Sequence, residues 1–179
     1  MKKKLLCFPL LLILALLSAC GDEPERLQVI AMDTVMTFQT YGKAAEDVLV
    51  SASAEVRRLE DLLSRTDPES AVSRVNSAGG APVEAGAELS ALLETAAEYS
   101  RMTGGAFDIT LAPVSSAWGF TTDSYRVPSQ AELDALLAHA GMEHVHVSGD
   151  TVALDSGTQI DLGAIAKGYA ADRVLDLYR

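Results

Sequence analysis

Gln159-Ile-Asp-Leu-Gly-Ala-Ile-Ala-Lys-Gly-Tyr-Ala-Ala-Asp-Arg173 reads as the end of a β-strand that turns directly into a helix. Two charged residues, Asp161 and Lys167, stand among small ones: Gly163, Ala164, Ala166, Gly168, Ala170 and Ala171. A helix that opens without bulky side chains lets a ligand approach its backbone, and its free N–H groups favour an anion. Lys167, read in the second turn, can then neutralise a phosphate. The same composition also suits a helix packed tightly on a sheet, with Lys167 merely solvated. Spacing alone does not separate the two.

At the other end of the chain, Lys2, Lys3 and Lys4 precede an apolar run from Leu5 to Leu17. That run is short for a membrane-spanning helix and reads as a secretion signal. It ends in Leu17-Ser18-Ala19-Cys20, which resembles a bacterial lipobox. Processing before Cys20 would leave lipid on its sulfur and on its new amino group. The expected organisation is therefore a signal over residues 1–19, a lipidated Cys20 and tether over 20–26, and one domain over 27–179. The expected location is the extracytoplasmic side of a bacterial envelope, with the lipid as membrane anchor.

The two cysteines are Cys7 and Cys20, so the processed domain contains none. That excludes disulfides, thiolate metal sites and a cysteine nucleophile. Loss of three lysines leaves 11 Lys+Arg against 25 Asp+Glu, a net charge near −14. Such a domain is a poor partner for nucleic acid or an anionic lipid surface. A phosphate-bearing ligand would need local cations. With three histidines and no thiol, a metal site is expected to be oxygen-based, suiting Mg²⁺ or Ca²⁺.

Between the termini, strand and helix patterns alternate, which gives an α/β (α+β) domain. Leu27–Ile30 and Val35–Tyr41 read as strands, with Met32 at the end of the first. Ala44–Ser64 reads as an amphipathic helix burying Val48, Ala52, Val56, Leu59 and Leu63, with Glu60 on its wet face. Residues 63–76 read as a polar loop in which Ser70 caps a turn. Gly86–Met102 is a second helix burying Leu89, Leu92, Leu93, Ala96 and Tyr99, and Thr103-Gly104-Gly105 stops it. The stretch that follows, Ala106-Phe107-Asp108, forms a loop able to press on a planar ligand. Core packing of Phe107 and Trp118, with Asp108 capping a turn, is the competing reading. The Gly-Gly pair lacks the Lys-Ser/Thr of a P-loop, which excludes that class of ATPase. Pro128–Gly141 reads as a third helix with a capping box from Ser129 to Glu132. His144–Leu154 reads as a hairpin that puts His144 and His146 on one face of a strand, where they are solvent-facing or, as the alternative, a metal pair, and Thr158–Asp161 reads as a further strand.

Four stretches together resemble the ApbE family of FAD:protein FMN transferases: Met32-Asp-Thr-Val-Met-Thr37, Leu63–Asn76, Thr103-Gly-Gly-Ala-Phe-Asp108 with Trp118-Gly-Phe120, and Ile160-Asp-Leu-Gly-Ala-Ile-Ala-Lys-Gly-Tyr169. The resemblance implies a T-fold-related domain that binds FAD and, with Mg²⁺, moves its FMN half to a Thr or Ser hydroxyl of a target protein, releasing AMP. Some family members instead hydrolyse FAD, and a non-catalytic flavin-binding lipoprotein is the alternative. Carried over by position, Met32 packs on the flavin nucleotide, and Ala106, Phe107 and Asp108 line the FAD pocket. Asp161 and Lys167 make polar contacts to FAD, and the Ala164 carbonyl is a Mg²⁺ ligand. The chain departs from the family at Thr66, where many relatives carry a tyrosine. It also ends at Arg179, ahead of the family's Gly-Gly-Asp segment, its histidine and its acidic/threonine metal region. The domain is thus expected to be incomplete at its C-terminus and inactive in transfer by itself.

Overall fold

The structure is a computed structural model that describes residues 23–120, 122 and 124–179. The expected secretion signal and the expected lipidation site at Cys20 lie outside the described residues. Strands β1 (Glu25–Ala31) and β2 (Thr34–Thr40) form an antiparallel hairpin in register from Glu25↔Thr40 to Ala31↔Thr34. Glu25 and Arg26, expected in the tether, are already strand. The two-residue turn is Met32-Asp33, with φ of 50° and 56°. Tight hairpin turns require positive φ at both central residues, a conformation usually given to Asn and Gly. A bulky Met is strained there, and the Glu60 carboxylate holds it by accepting the Met32 N–H at 2.7 Å. Glu60 therefore leaves the wet face assigned to it and serves the turn.

Helix α1 (Ala45–Leu63) packs under the hairpin and against α6 (Ala166–Leu177). It buries Leu49, not the expected Val48, beside Ala52, Val56, Leu59 and Leu63. The polar stretch after it is only partly loop, because α2 (Ala71–Ser77) starts on Ser70, whose Oγ accepts the Ser73 N–H at 2.9 Å. Helix α3 (Ala87–Met102) buries Leu89, Leu92, Leu93 and Ala96, but the next apolar position fails. Tyr99 is 46% exposed and Ser100 is buried instead. Helix α4 (Ala112–Ala117) is short, and α5 (Gln130–Leu137) is shorter than its pattern predicts. Ser129 caps α5 by accepting the Glu132 N–H, yet the Glu132 carboxylate turns to Arg126 and leaves the capping box half-made.

A second sheet has the order β3-β5-β4, all antiparallel: β3 (Val83–Glu84), β4 (Val145–Ser148) and β5 (Thr151–Leu154). The core between the sheets and helices centres on Leu59, Leu89, Leu93, Ile109, Ile160 and Leu162, all fully buried. This is the expected mixed class, with helices packed on small antiparallel sheets.

The expected strand over Thr158–Asp161 is not one. Its sheet pairing is a single parallel bridge, Leu111↔Gln159. Ile160 is fully buried, so both its backbone groups need partners. Asn76 supplies both: its Nδ2 donates to the Ile160 carbonyl at 2.9 Å and its Oδ1 accepts the Ile160 N–H at 2.8 Å. The Asp161 N–H donates to the Ile109 carbonyl at 2.8 Å. A side-chain amide thus stands in for a neighbouring strand.

An ion-pair network ties α1, α3 and α6 together. Arg58 bonds the Glu88 carboxylate with two nitrogens, at 2.7 and 2.8 Å, and also bonds Glu55. The Tyr169 hydroxyl donates to Glu88 at 2.9 Å. Arg58, then Tyr169, hold the Glu88 carboxyl below its ordinary 4.5 against the opposing effect of burial.

Asn76→Ala leaves a buried N–H and a buried carbonyl unpaired, and urea denaturation should show a loss of about 2–4 kcal/mol. The depressed Glu88 carboxyl contributes stability above its ordinary value, and that contribution is lost as pH falls through its folded value. Melting temperature should therefore drop as pH falls below about 4.5, with a shallower drop in Glu88→Gln.

Candidate functional site

A cleft of ≈ 290 Å³ opens where the hairpin turn, the C-terminal end of α1 and the start of α6 meet. Met32 and Asp33 line it from the turn, Glu60 and Leu63 from α1, Ser64, Arg65 and Thr66 from the loop after it, and Asp161, Gly163, Ala166 and Lys167 from the α6 side. Three residues expected from sequence, Met32, Asp161 and Lys167, therefore converge from positions more than a hundred residues apart.

Both oxygens of Asp161 are engaged. Oδ1 accepts the Gly163 N–H at 2.8 Å, which shapes the turn before α6. Oδ2 accepts from Arg65 Nη1 at 2.8 Å, and Arg65 Nη2 donates to Ser116 Oγ at 2.6 Å. Lys167 is exposed and makes no ion pair among the described residues. It lies in the first turn of α6, one turn earlier than expected, because residues 163–165 form a turn and the helix starts at Ala166.

The small residues divide between the two readings left open by sequence. Ala166 and Ala170 are buried in the core, as tight packing requires. Gly163, Ala164 and Gly168 are exposed, and a Cβ at Gly168 would meet nothing within 4 Å. Packing does not explain that second set. Gly163 lines the cleft, whereas Ala164 and Gly168 border a separate hollow beside Tyr99 and Tyr169, so the open start of α6, where the helix dipole is positive, is shared between the two.

The other expected residues lie elsewhere. Asp108 borders a second hollow with Arg101, Gly104, Gly105 and Glu143, and its Oδ1 accepts both the N–H and the hydroxyl of Thr110, at 2.7 and 2.6 Å. It does cap a turn. Ala106 is exposed, and Phe107 packs edge-to-face on Tyr99 with ring centres 6.0 Å apart. Trp118 is half-buried and stacks on the exposed Phe120, so it is not a core aromatic. Ala164 faces a third hollow, with Tyr99, Tyr169 and Asp172. No backbone hydrogen bond to its carbonyl is made among the described residues, so this oxygen is available. It is a hard donor of the kind Mg²⁺ takes, but it is one donor. Among the described residues no group of three or more His, Cys, Asp or Glu could hold a metal. These residues by themselves do not make a magnesium centre. His146 lies in β4, but His144 ends the short 3-10 turn before it (Met142–His144); both bond Asp155, at 2.9 and 2.8 Å. Those bonds, His144 first, hold the Asp155 carboxyl below its usual range.

Sequence reading missed Arg65 and misassigned Glu60. Arg65 lies in a loop rich in capping groups, and its carboxylate partner is 96 residues away. The available signal was a lone cation directly after a helix in a strongly acidic chain.

A hairpin turn and a helix start thus meet at one cleft, with Arg65 and Lys167 set among the carboxylates of Asp33, Glu60 and Asp161. Residues 32–179 match the ApbE family model, and the chain belongs to the ApbE family. It is 32% identical to the FAD:protein FMN transferase of Treponema pallidum (strain Nichols), over 94% of this chain and 51% of that protein. It is 34% identical to the FAD:protein FMN transferase of Klebsiella pneumoniae (strain 342), over 69% and 40%. Among solved structures it superposes on the ApbE protein of Thermotoga maritima with a TM-score of 0.82 at 30% identity, covering 87% of this chain and 52% of that one. The apo flavinyl transferase ApbE of Pseudomonas stutzeri gives 0.80 at 29%, covering 88% and 53%. The chain spans about half the length of the curated relatives it matches.

Proposed function

We propose that this chain carries the flavin-nucleotide-binding part of an FAD:protein FMN transferase. The observation that carries the reading is the convergence of Met32, Asp161 and Lys167 on one cleft at the open start of α6. In the proposed reaction a Thr or Ser hydroxyl oxygen of a target protein attacks the FMN phosphorus of FAD. A phosphoester bond forms, the pyrophosphate P–O bond breaks, the hydroxyl loses its proton and AMP leaves. Phosphoryl transfer of this kind depends mainly on positioning and on neutralising charge. Lys167 and the α6 amides bind the pyrophosphate, Asp161 orients the turn beneath it, and Met32 packs on a ring. Ala106, Phe107 and Asp108 belong to the flavin pocket on this reading, reached across the Tyr99 side of the molecule.

Mg²⁺ belongs to the proposal as the ion that offsets phosphate charge, with the Ala164 carbonyl as the ligand this chain offers. That single donor favours a second reading for the chain by itself, flavin binding without turnover. Hydrolysis of FAD to FMN and AMP is the other outcome open to the same site. We further propose that Cys20 is lipidated and holds the protein on the extracytoplasmic side of a bacterial membrane. No helix of the described residues is long and apolar enough to cross one.

The test is a fluorescence titration with FAD, with and without Mg²⁺, while AMP and flavinylated product are followed with a Thr-containing target peptide. FAD should bind, and Lys167→Ala should weaken it roughly tenfold at an unchanged melting temperature, since an exposed lysine contributes a charge-assisted contact and no packing. Binding without AMP release selects the second reading. AMP release without peptide product selects hydrolysis. No FAD binding in either buffer overturns the proposal.

A further inference from the structure

The Arg65 side chain is only 16% exposed, although it sits in a surface loop two residues past the end of α1. It ties the loop after α1 to the approach to α6 through Asp161, and to α4 outside the cleft through Ser116. The contact to Asp161 reaches further than one ion pair, because the other oxygen of that carboxylate holds the Gly163 N–H. Arg65 therefore fixes, through Asp161, the turn that presents the α6 amides.

A guanidinium has five N–H groups in a rigid planar fork, and these contacts use one from each of two nitrogens. Arg65 lines the cleft together with Lys167. The nearby Glu60 carboxylate is committed at the hairpin end, to the Met32 N–H. The cleft sets these two cations among three carboxylates, Asp33, Glu60 and Asp161, and Arg65 is the cation whose direction is fixed.

We infer that Arg65 is a positioning and specificity residue of the flavin cleft: it orients Asp161 and selects a phosphorylated flavin over the phosphate-free one. The inference rests on the proposed flavin reading. Its substrate class is the flavin nucleotide with at least one phosphate at the α6 start.

The test titrates the full chain with FAD and, separately, with riboflavin, using wild type, Arg65→Gln and Arg65→Lys. Arg65→Gln should weaken FAD roughly tenfold or more and leave riboflavin unchanged. Arg65→Lys keeps the charge without the fork and should recover part of the FAD affinity. Equal weakening of FAD and riboflavin in both variants would mean a purely structural brace and overturns the inference. So does an Arg65→Gln chain that binds FAD like wild type. If wild type binds no flavin at all, the proposed function fails first and this inference with it.

Discussion

Around Ile160 the chain enters the core with only a single parallel bridge, Leu111↔Gln159, beside it, and the carboxamide of Asn76 pairs the backbone of Ile160. Its two bonds to Ile160 satisfy backbone that is completely out of water. A buried unpaired amide or carbonyl is expensive enough that the segment would otherwise have to move. Because Ile160 is clamped, Asp161 emerges at a fixed point. From there its carboxylate sets the Gly163 turn and meets Arg65. The start of α6, and with it the open amides and Lys167, follows from that one two-point contact.

The opposite wall of the cleft rests on a different constraint. Met32 and Asp33 occupy the left-handed region, in a turn where Gly or Asn would relax. Glu60 offsets part of that strain by binding the Met32 N–H. Backbone strain that is held by an outside partner is common where a side chain must be aimed. Here it sets Met32 in the lining of the cleft, which Lys167 enters from the α6 side. The cleft thus has a strained end, where Met32 stands beside Asp33 and Glu60, and an opposite end where Arg65 and Lys167 stand beside Asp161.

Much of this was legible in sequence. The 3.6-residue apolar period located α1 and α3, and alternating β-branched residues located the β1–β2 and β4–β5 hairpins. Met32, Asp161 and Lys167 were all assigned to one ligand, and the cleft does gather them. What stayed hidden depended on partners far away in the chain. Residues 158–161 carry a strand pattern, yet their pairing is with Asn76, some 84 residues earlier, and no local rule reports that. Arg65 looked like loop chemistry because its carboxylate lies 96 residues on. Tyr99 continued the periodicity of α3 but reaches the Phe107 ring at the surface, so contact with a loop overrode the helical pattern. The glycines and alanines of α6 could not be sorted at all until burial separated Ala166 and Ala170 from Gly163, Ala164 and Gly168.

The central claim is that the start of α6 is where the phosphate of a flavin nucleotide binds. Amide hydrogen exchange across the chain, with and without saturating FAD, tests it most directly. The account predicts slowed exchange at Gly163, Ala164, Lys167 and Gly168 and at the Met32-Asp33 turn, with the β4–β5 hairpin unchanged. Exchange at residues 163–168 that FAD leaves unaltered, or protection confined to the β4–β5 hairpin, would contradict it.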